Sequence, residues 1–560
     1  MSDQQHVIGI DFGTLSGRAV VVRASDGEEL GVAQLEYPHG VMDRELAETG
    51  ERLPPDWALQ DPQDYIEVLR RAVPQAVKDA GIDPKSVVGI GIDFTSCTIM
   101  PTLSDGTPLC QLDEFRGRPH AYVKLWKHHA AQPQADRVTE VAAERGEPWL
   151  NRYGGKISSE WAVAKGLQVL EEDEEIYDRM ERWIEAGDWV VWRICGEEVR
   201  SACPAGYKAI YQDGRYPSKD YFEALDPRFR DFAEEKLASP SSLAELGARA
   251  GTLTREAAQW MGLEPGLAVA VANVDAHVTA PPAQATEPGR MVLVMGTSNC
   301  HVMVGDELAE VPGMCGVVKG GLVAGRWGYE AGQTGVGDIF AWFVDHAVPP
   351  AYHEQARERG LGIHEYLTEL ADQQQVGEHG LIALDWWNGN RSILVDHNLR
   401  GVLVGMSLAT RPEDIYRALI ESTAFGTRKI VEAFEEAGVA VNEIVATGGL
   451  LDNPVLMQIY CDVVSRPLSL LDSGEGPARG SAIHAAVAAG VHDDIETAAA
   501  RMGKVRSDVY TPNRERAEAY DRLYRVYVQL HDWFGRENRG LMSELQSIAA
   551  DARKGERIEH

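Results

Sequence analysis

Two stretches of the chain share one plan. Val7–Val22, VIGIDFGTLSGRAVVV, and Met291–Gly305, MVLVMGTSNCHVMVG, each run from an apolar strand through a Gly-Thr turn with a hydroxyl residue into a second apolar strand. One opens each half of the chain, and the second half continues with EIVATGGLLDNPVLMQIYCDVVSRPLSLL, which reads as strand, glycine turn, helix and strand. A repeat on this scale is domain-sized, far beyond the roughly 20–50-residue period of a solenoid. It restricts the chain to two lobes with related α/β sheets.

At 560 residues the chain is too long for one core. VIGIDFG, RAVVVR and ELGVAQLEY predict three successive strands, DPQDYIEVLRRAVPQAVKDAG an amphipathic helix with a glycine stop, and VVGIGIDFTS a strand buried on both faces. From about 115 to 265 the pattern loosens into helical segments rich in Trp, Glu and Arg, read as an elaboration of the first lobe. PGLAVAVANVDAHVTA returns to the core, and PPAQATEPGR is the best boundary. The expected division is 1–284, 285–490 and a helical extension, 491–560, whose charged faces are expected only to solvate it.

With 54 basic and 86 acidic residues the formal charge is −32, which disfavours nucleic acid and anionic membranes as partners. An anionic ligand would therefore need a locally positive site, made from backbone N–H groups, a few basic side chains or a metal. The seven cysteines form no Cys-x-x-Cys pair, and no run reaches the roughly 18 apolar residues of a membrane helix. A reduced, cytoplasmic setting is expected.

A single Gly-Thr turn can be an ordinary hairpin needing positive φ. Two of them, Gly13-Thr14 with Ser16 and Gly296-Thr297 with Ser298, can hold a polyphosphate from both sides of a cleft, with Arg18 adding a charged donor. Neither a Walker A sequence nor G-x-G-x-x-G is present. Asp11, at a strand end facing phosphates, is repulsive unless hydrated Mg²⁺ lies between; otherwise it is a turn former. Asp275 in ANVDAH can cap a helix or accept a proton from a hydroxyl nucleophile. TGGLLDNP puts Gly448 and Gly449 before a helix capped by Asp452 or Asn453, either a generic tight turn or one that admits adenine. No histidine spacing supports zinc, and no G-x-S-x-G elbow appears.

GIDFGT, MGTS, ATGGLLDNPVLMQIYCDVVSRPL and RGVLVGMSLATRPEDIYRALIES together resemble the FGGY carbohydrate kinases of the actin/sugar-kinase/Hsp70-like superfamily, over roughly residues 6 to 490. The resemblance implies an α/β fold of two actin-like (ribonuclease H-like) domains with a cleft between them, plus helical insertions and a helical C-terminal tail. DFTSCT, VKLWKHHAA, RYGGKISSEW, AGYKAI, NVDAH, GYEAGQ and DWWNGNRS are similar to members acting on L-ribulose, implying ATP-dependent phosphorylation of its C5 hydroxyl in arabinose catabolism. It further implies Asp275 as catalytic base and Asp11 as the Mg²⁺ residue. Thr14, Ser16, Arg18, Gly296, Thr297 and Ser298 would surround the phosphates, and Gly448, Gly449 and Asn453 would border adenosine. Ser96, Trp126, Lys208, Asp275 and Glu330 would bind the sugar, Glu330 from a glycine-rich turn. Leu15 departs from those L-ribulose members, which tend to carry Glu there. The implied partners are a ketopentose and MgATP, with no nucleic acid and no membrane; a homo-oligomer is compatible with them. Competing readings are a kinase of the same family for xylulose, D-ribulose or gluconate, and an ATP-switched actin- or Hsp70-like binding protein.

Overall fold

The computed structural model describes residues 5–237 and 243–556. Its first sheet holds β1 (His6–Phe12), β2 (Ser16–Arg23), β3 (Glu29–Glu36), β4 (Val87–Phe94), β5 (Arg249–Thr252), β6 (Ala268–Ala270) and β7 (Asn273–Val274). The order is β3-β2-β1-β4-β6-β5, with β7 also paired to β4. β1 is antiparallel to β2 and parallel to β4, and β6 and β7 are parallel to β4 in turn. The register sets Asp11 beside Asp93 and Asn273 on the other side of Asp93. Three parallel strands therefore finish together, and ligands of open α/β sheets bind outside such carboxyl ends.

The second sheet holds β8 (Arg290–Met295), β9 (Asn299–Gly305), β10 (Gly316–Lys319), β11 (Trp327–Gln333), β12 (Glu443–Thr447), β13 (Leu468–Leu471) and β14 (Val505–Tyr510). Its order, β10-β11-β9-β8-β12-β13-β14, contains the first sheet's pattern: an antiparallel triple followed by two parallel strands. The ends of β8 and β12 bring Gly296–Ser298 beside Gly448–Gly449.

Two regions differ from the sequence reading. The elaboration of the first lobe starts earlier than 115, because Leu59–Gln60, Ile99–Thr102, Val123–Lys124 and Arg182–Glu185 form a separate four-stranded sheet. The C-terminal segment is not wholly helical: β14 adds an antiparallel edge to β13 before the helices Arg514–Asp532 and Gly540–Glu556. Nor do those helices only solvate the chain. Tyr520, Tyr524 and Tyr527 are buried in the core of the second lobe, where their hydroxyls reach Glu421, Glu432 and Asp385.

The lobes are joined by the helix Gly476–Ala488, which leaves the second sheet and lies against β1 and β4 of the first. The glycines of the two GID-F strands make that approach feasible. A Cβ on Gly9 would stand 1.7 Å from the Ala478 carbonyl oxygen, and one on Gly91 1.9 Å from that of Ser481. Val7, Val20 and Val22 of the first sheet share a core with Val292, Val302 and the helix's own Ala478 and Ala482. No helix among the described residues is long and apolar enough to cross a membrane.

Gly91→Ala should lower the melting temperature by roughly 2–5 °C, since the clash is with backbone that cannot rotate away. Gly362→Ala, at an N-cap with φ −68° and no atom within 4 Å, should leave it nearly unchanged. Thermal unfolding followed by circular dichroism checks both.

Candidate functional site

A cavity of about 370 Å³ lies between the lobes, within the size range of small-molecule sites. It brings together Thr14, Ser96, Trp126, Lys208, Asp275, Gly296, Thr297, Ser298, Glu330, Gly448 and Gly449. Asp11, Ser16, Arg18 and Asn453 are outside its lining. Ser16 accepts a hydrogen bond from Gln34, and the Arg18 guanidinium is ion-paired to Glu475 at 2.5 Å, so its charge is already matched. Asn453 caps the helix Pro454–Val464 through the Leu456 N–H and donates to Thr368.

The glycine turns are tight for a reason other than positive φ, which neither Gly13 nor Gly296 adopts. Each N–H closes the turn on a serine carbonyl, Gly13 on Ser16 at 3.0 Å and Gly296 on Ser298 at 2.9 Å. Gly448 does sit at φ 109°, and a Cβ there would lie 2.2 Å from the Met295 carbonyl oxygen. The turns of the second lobe are thus packed backbone to backbone, leaving room for a flat or anionic group. The first turn is tied to the cavity wall that carries Trp126, because the Trp126 indole N–H donates to Thr14 Oγ1 at 3.0 Å.

Glu330 is not in a solvated turn. It lies in β11, is 6% exposed, and is held from across the cleft by the first lobe. Lys208 Nζ donates to both its oxygens at 3.0 and 2.8 Å, and His277 Nε2 donates at 3.1 Å. Burial alone would raise Glu330, but the Lys208 charge and His277 outweigh it and hold the carboxyl well below the usual range. Burial would likewise lower Lys208, yet Glu330 keeps the ammonium above its ordinary value. Both groups are thus charged and rigid, suited to donating and accepting hydrogen bonds from hydroxyls.

Ser96 and Trp126 are positioned by Lys165, a residue the sequence reading missed. Its buried Nζ donates to the carbonyls of Cys97 at 2.7 Å and Leu125 at 2.8 Å, clamping the two neighbouring segments. Cys97 sits at φ 58°, a strained position for a non-glycine residue that the clamp holds in place.

Asp275 follows β7, with its N–H on the Phe94 carbonyl and its Oδ1 taking the Ala276 N–H. Burial, then the charge of Asp11, pushes its carboxyl up to about 7. Asp93, also missed by the sequence reading, completes the group. It is fully buried, one oxygen accepts from Ser481 Oγ at 2.6 Å, and Oδ1 has no hydrogen-bond donor. Burial and the neighbouring Asp11 and Asp275 hold it well above the carboxylate range. Asp11 is raised by burial against the opposing contact with Asp93 and the charge of Arg18. Carboxylates in contact share a proton or a cation, so this donor set fits a divalent ion. Among the described residues no group of three or more His, Cys, Asp or Glu is arranged to hold a metal unaided. An ion here would complete its coordination with water and with oxygens of a bound ligand, as Mg²⁺ commonly does.

Comparison with known proteins shows the family. The model of the FGGY family of carbohydrate kinases, N-terminal domain, matches residues 6–280, and that of the C-terminal domain matches 291–489. A ribulokinase of Mycolicibacterium smegmatis is 58% identical over 555 residues, covering 99% of this chain and 98% of its own. One from Geobacillus thermodenitrificans is 52% identical over 557 residues, covering 98% of each. The crystal structure of a xylulose kinase from Rhodospirillum rubrum superposes with a TM-score of 0.75 at 24% identity, covering 95% of this chain and 99% of the other, which shows a common fold.

The raised Asp275 carboxyl carries a stability cost with a definite sign. The carboxyl ionises near 3.8 in the unfolded chain and near 7 in the folded one, so folded stability falls as pH rises between them and stays lowered above. Asp275→Asn should therefore stabilise the ligand-free protein at pH 8 by up to roughly 4 kcal/mol, with a smaller gain at pH 5. Denaturant unfolding at the two pH values measures it, and a pH-independent difference would contradict the assignment.

Proposed function

The chain belongs to the FGGY family of carbohydrate kinases, and from that premise we propose that it transfers the γ-phosphoryl group of ATP to the C5 hydroxyl of L-ribulose, in the cytoplasm. The choice of sugar is supported by full-length relatives named ribulokinase at 58% and 52% identity. The observation that carries the chemistry is Asp275, a carboxyl raised to about 7, in one cavity with the Lys208–Glu330 pair and the glycine turns of both lobes.

In this reading Asp275 accepts the C5 hydroxyl proton as that oxygen attacks phosphorus, and a base poised near neutral pH suits the task. Backbone N–H groups of Thr297 and Ser298 and the hydroxyl of Thr14 face the phosphoryl oxygens, where fixed donors stabilise developing charge at little reorganisation cost. Thr14 is well arranged for this, since Trp126 occupies its acceptor side and leaves the hydroxyl proton free. Gly448 and Gly449 border the adenosine. Asp11, with Asp93 beside it, would hold Mg²⁺ through water; the ion supplies charge neutralisation between carboxylates and phosphates. Ser96, Lys208 and Glu330 bind sugar hydroxyls, and the Trp126 ring covers a C–H face. Arg18 would have to leave Glu475 to reach a phosphate, and Ser16 and Asn453 act by shaping their turns.

Coupled ADP-release assays on a panel of ketopentoses, gluconate and glycerol test the reading. L-Ribulose should be turned over with the highest kcat/KM, and turnover of gluconate alone would overturn the assignment. Asp275→Asn should lower kcat by about 10²–10⁴ with ATP binding retained. Lys208→Ala should chiefly raise the KM for ribulose, and an unchanged KM would remove Lys208 from the sugar site.

A further inference from the structure

The cavity continues past the Lys208–Glu330 pair to groups that the proposed chemistry leaves unused. Glu160, from RYGGKISSEW in the first lobe, and Arg391, from DWWNGNRS in the second, both line it. They meet across the cleft through a single contact, Arg391 Nη2 to Glu160 Oε1 at 3.4 Å. A long, one-point contact leaves most of the guanidinium's donors and the carboxylate's acceptor sites available to a ligand. Both side chains are largely withdrawn from solvent, at 20% and 12% exposure. Burial would raise Glu160, but Arg391 first, then His129, Lys208 and His397, keep it below its usual range and ionised.

Local contacts place the pair beside Lys208 and Glu330. Lys208 Nζ stands 5.8 Å from the centroid of the Trp161 ring, the neighbour of Glu160 in sequence. A Cβ on Gly332, two residues along β11 from Glu330, would lie 3.3 Å from Arg391 Cδ.

Arg391 is carried on the segment after Leu384, and the C-terminal helices grip that segment at four places. Tyr527 donates to Asp385 at 3.1 Å, Arg539 to Asp396 at 2.6 Å, and Gln546 to the Asn398 carbonyl at 2.5 Å. Gly535 packs so closely on Leu394 that a Cβ would stand 2.3 Å from its Cδ1. The same segment is stitched to β11, the strand of Glu330, by Ser392 N–H to the Gly332 carbonyl at 3.1 Å.

We propose that Arg391 and Glu160 form a wall of the sugar site beside the Lys208–Glu330 pair, hydrogen-bonding sugar hydroxyls that this pair does not hold, and that the C-terminal helices position Arg391 for it. The inference rests on the sugar-kinase reading above. Because each residue comes from a different lobe, the wall is complete only when the cleft is closed.

The test is steady-state kinetics with L-ribulose and ATP varied separately, alongside thermal unfolding. Arg391→Leu and Glu160→Gln should each raise the sugar KM about tenfold or more, the worth of a hydrogen bond to a charged group, while the ATP KM stays within about twofold. Arg391→Lys, which keeps the charge without the fork, should fall between and serves if the leucine variant does not fold. Arg539→Ala, at an exposed position, should raise the sugar KM severalfold in the wild-type background and add nothing to Arg391→Leu, the non-additivity expected of residues acting through one another. An unchanged sugar KM in Arg391→Leu or Arg391→Lys, or an equal rise in the ATP KM, would overturn the wall. Additive effects of Arg539→Ala would overturn the brace. A wild-type enzyme that phosphorylates no ketopentose would overturn the sugar-kinase reading itself and this inference with it.

Discussion

Three carboxylates crowd the carboxyl edge of the first sheet, and their mutual repulsion constrains everything around them. Asp11 and Asp93 are neighbours in register on parallel strands, and Asp275 follows the strand on the other side of Asp93. Buried like charges are costly unless protons or cations compensate. The surroundings supply that compensation from several directions: the Ala276 N–H, the Ser481 hydroxyl and the Lys208 ammonium. A site of this kind attracts a cation accompanied by anions, which reconciles a chain of charge −32 with a polyanionic substrate.

The proposed sugar side of the cavity belongs to neither lobe alone. Glu330 comes from the second sheet and its hydrogen-bond donors from the first. The Gly476–Ala488 helix meanwhile belongs to the second lobe by connectivity and packs on the first by contact. Opening the cleft would separate Glu330 from Lys208 and His277. In the proposed reading, closure assembles the sugar site as it excludes water, an arrangement that keeps water from competing as phosphoryl acceptor.

The strands, the two glycine turns and a helix cap at Asp452 or Asn453, which the structure resolves to Asn453, were legible in the sequence because each depends on local pattern: apolar runs, glycine punctuation, a capping residue before Pro. So were Asp11 and Asp275, carboxylates at the ends of apolar strands. Asp93 was hidden, although Gly91–Phe94 repeats the GIDF of Gly9–Phe12, because a doubly buried strand gives no sign of which neighbour its polar residue meets. Glu330 was misplaced in a turn since glycines flank it; in β11 those glycines instead admit close neighbours, Tyr207 and Leu322 at Gly328, Asn299 and Arg391 at Gly332. The roles of Lys165 and of the C-terminal helices depend on contacts between residues distant in sequence, which local periodicity does not encode. VRSDVY alternates as an edge strand should, but only its pairing with β13 makes it one.

The account stands on Asp275 being the group that meets the sugar hydroxyl beneath a nucleotide held by both glycine turns. A crystal structure with L-ribulose, Mg²⁺ and a non-hydrolysable ATP analogue measures this directly. It should place an Asp275 oxygen about 2.6–3.2 Å from the C5 hydroxyl, with the triphosphate between Gly13–Thr14 and Gly296–Ser298. An Asp275 out of reach of every sugar hydroxyl, or a triphosphate away from both turns, would contradict it.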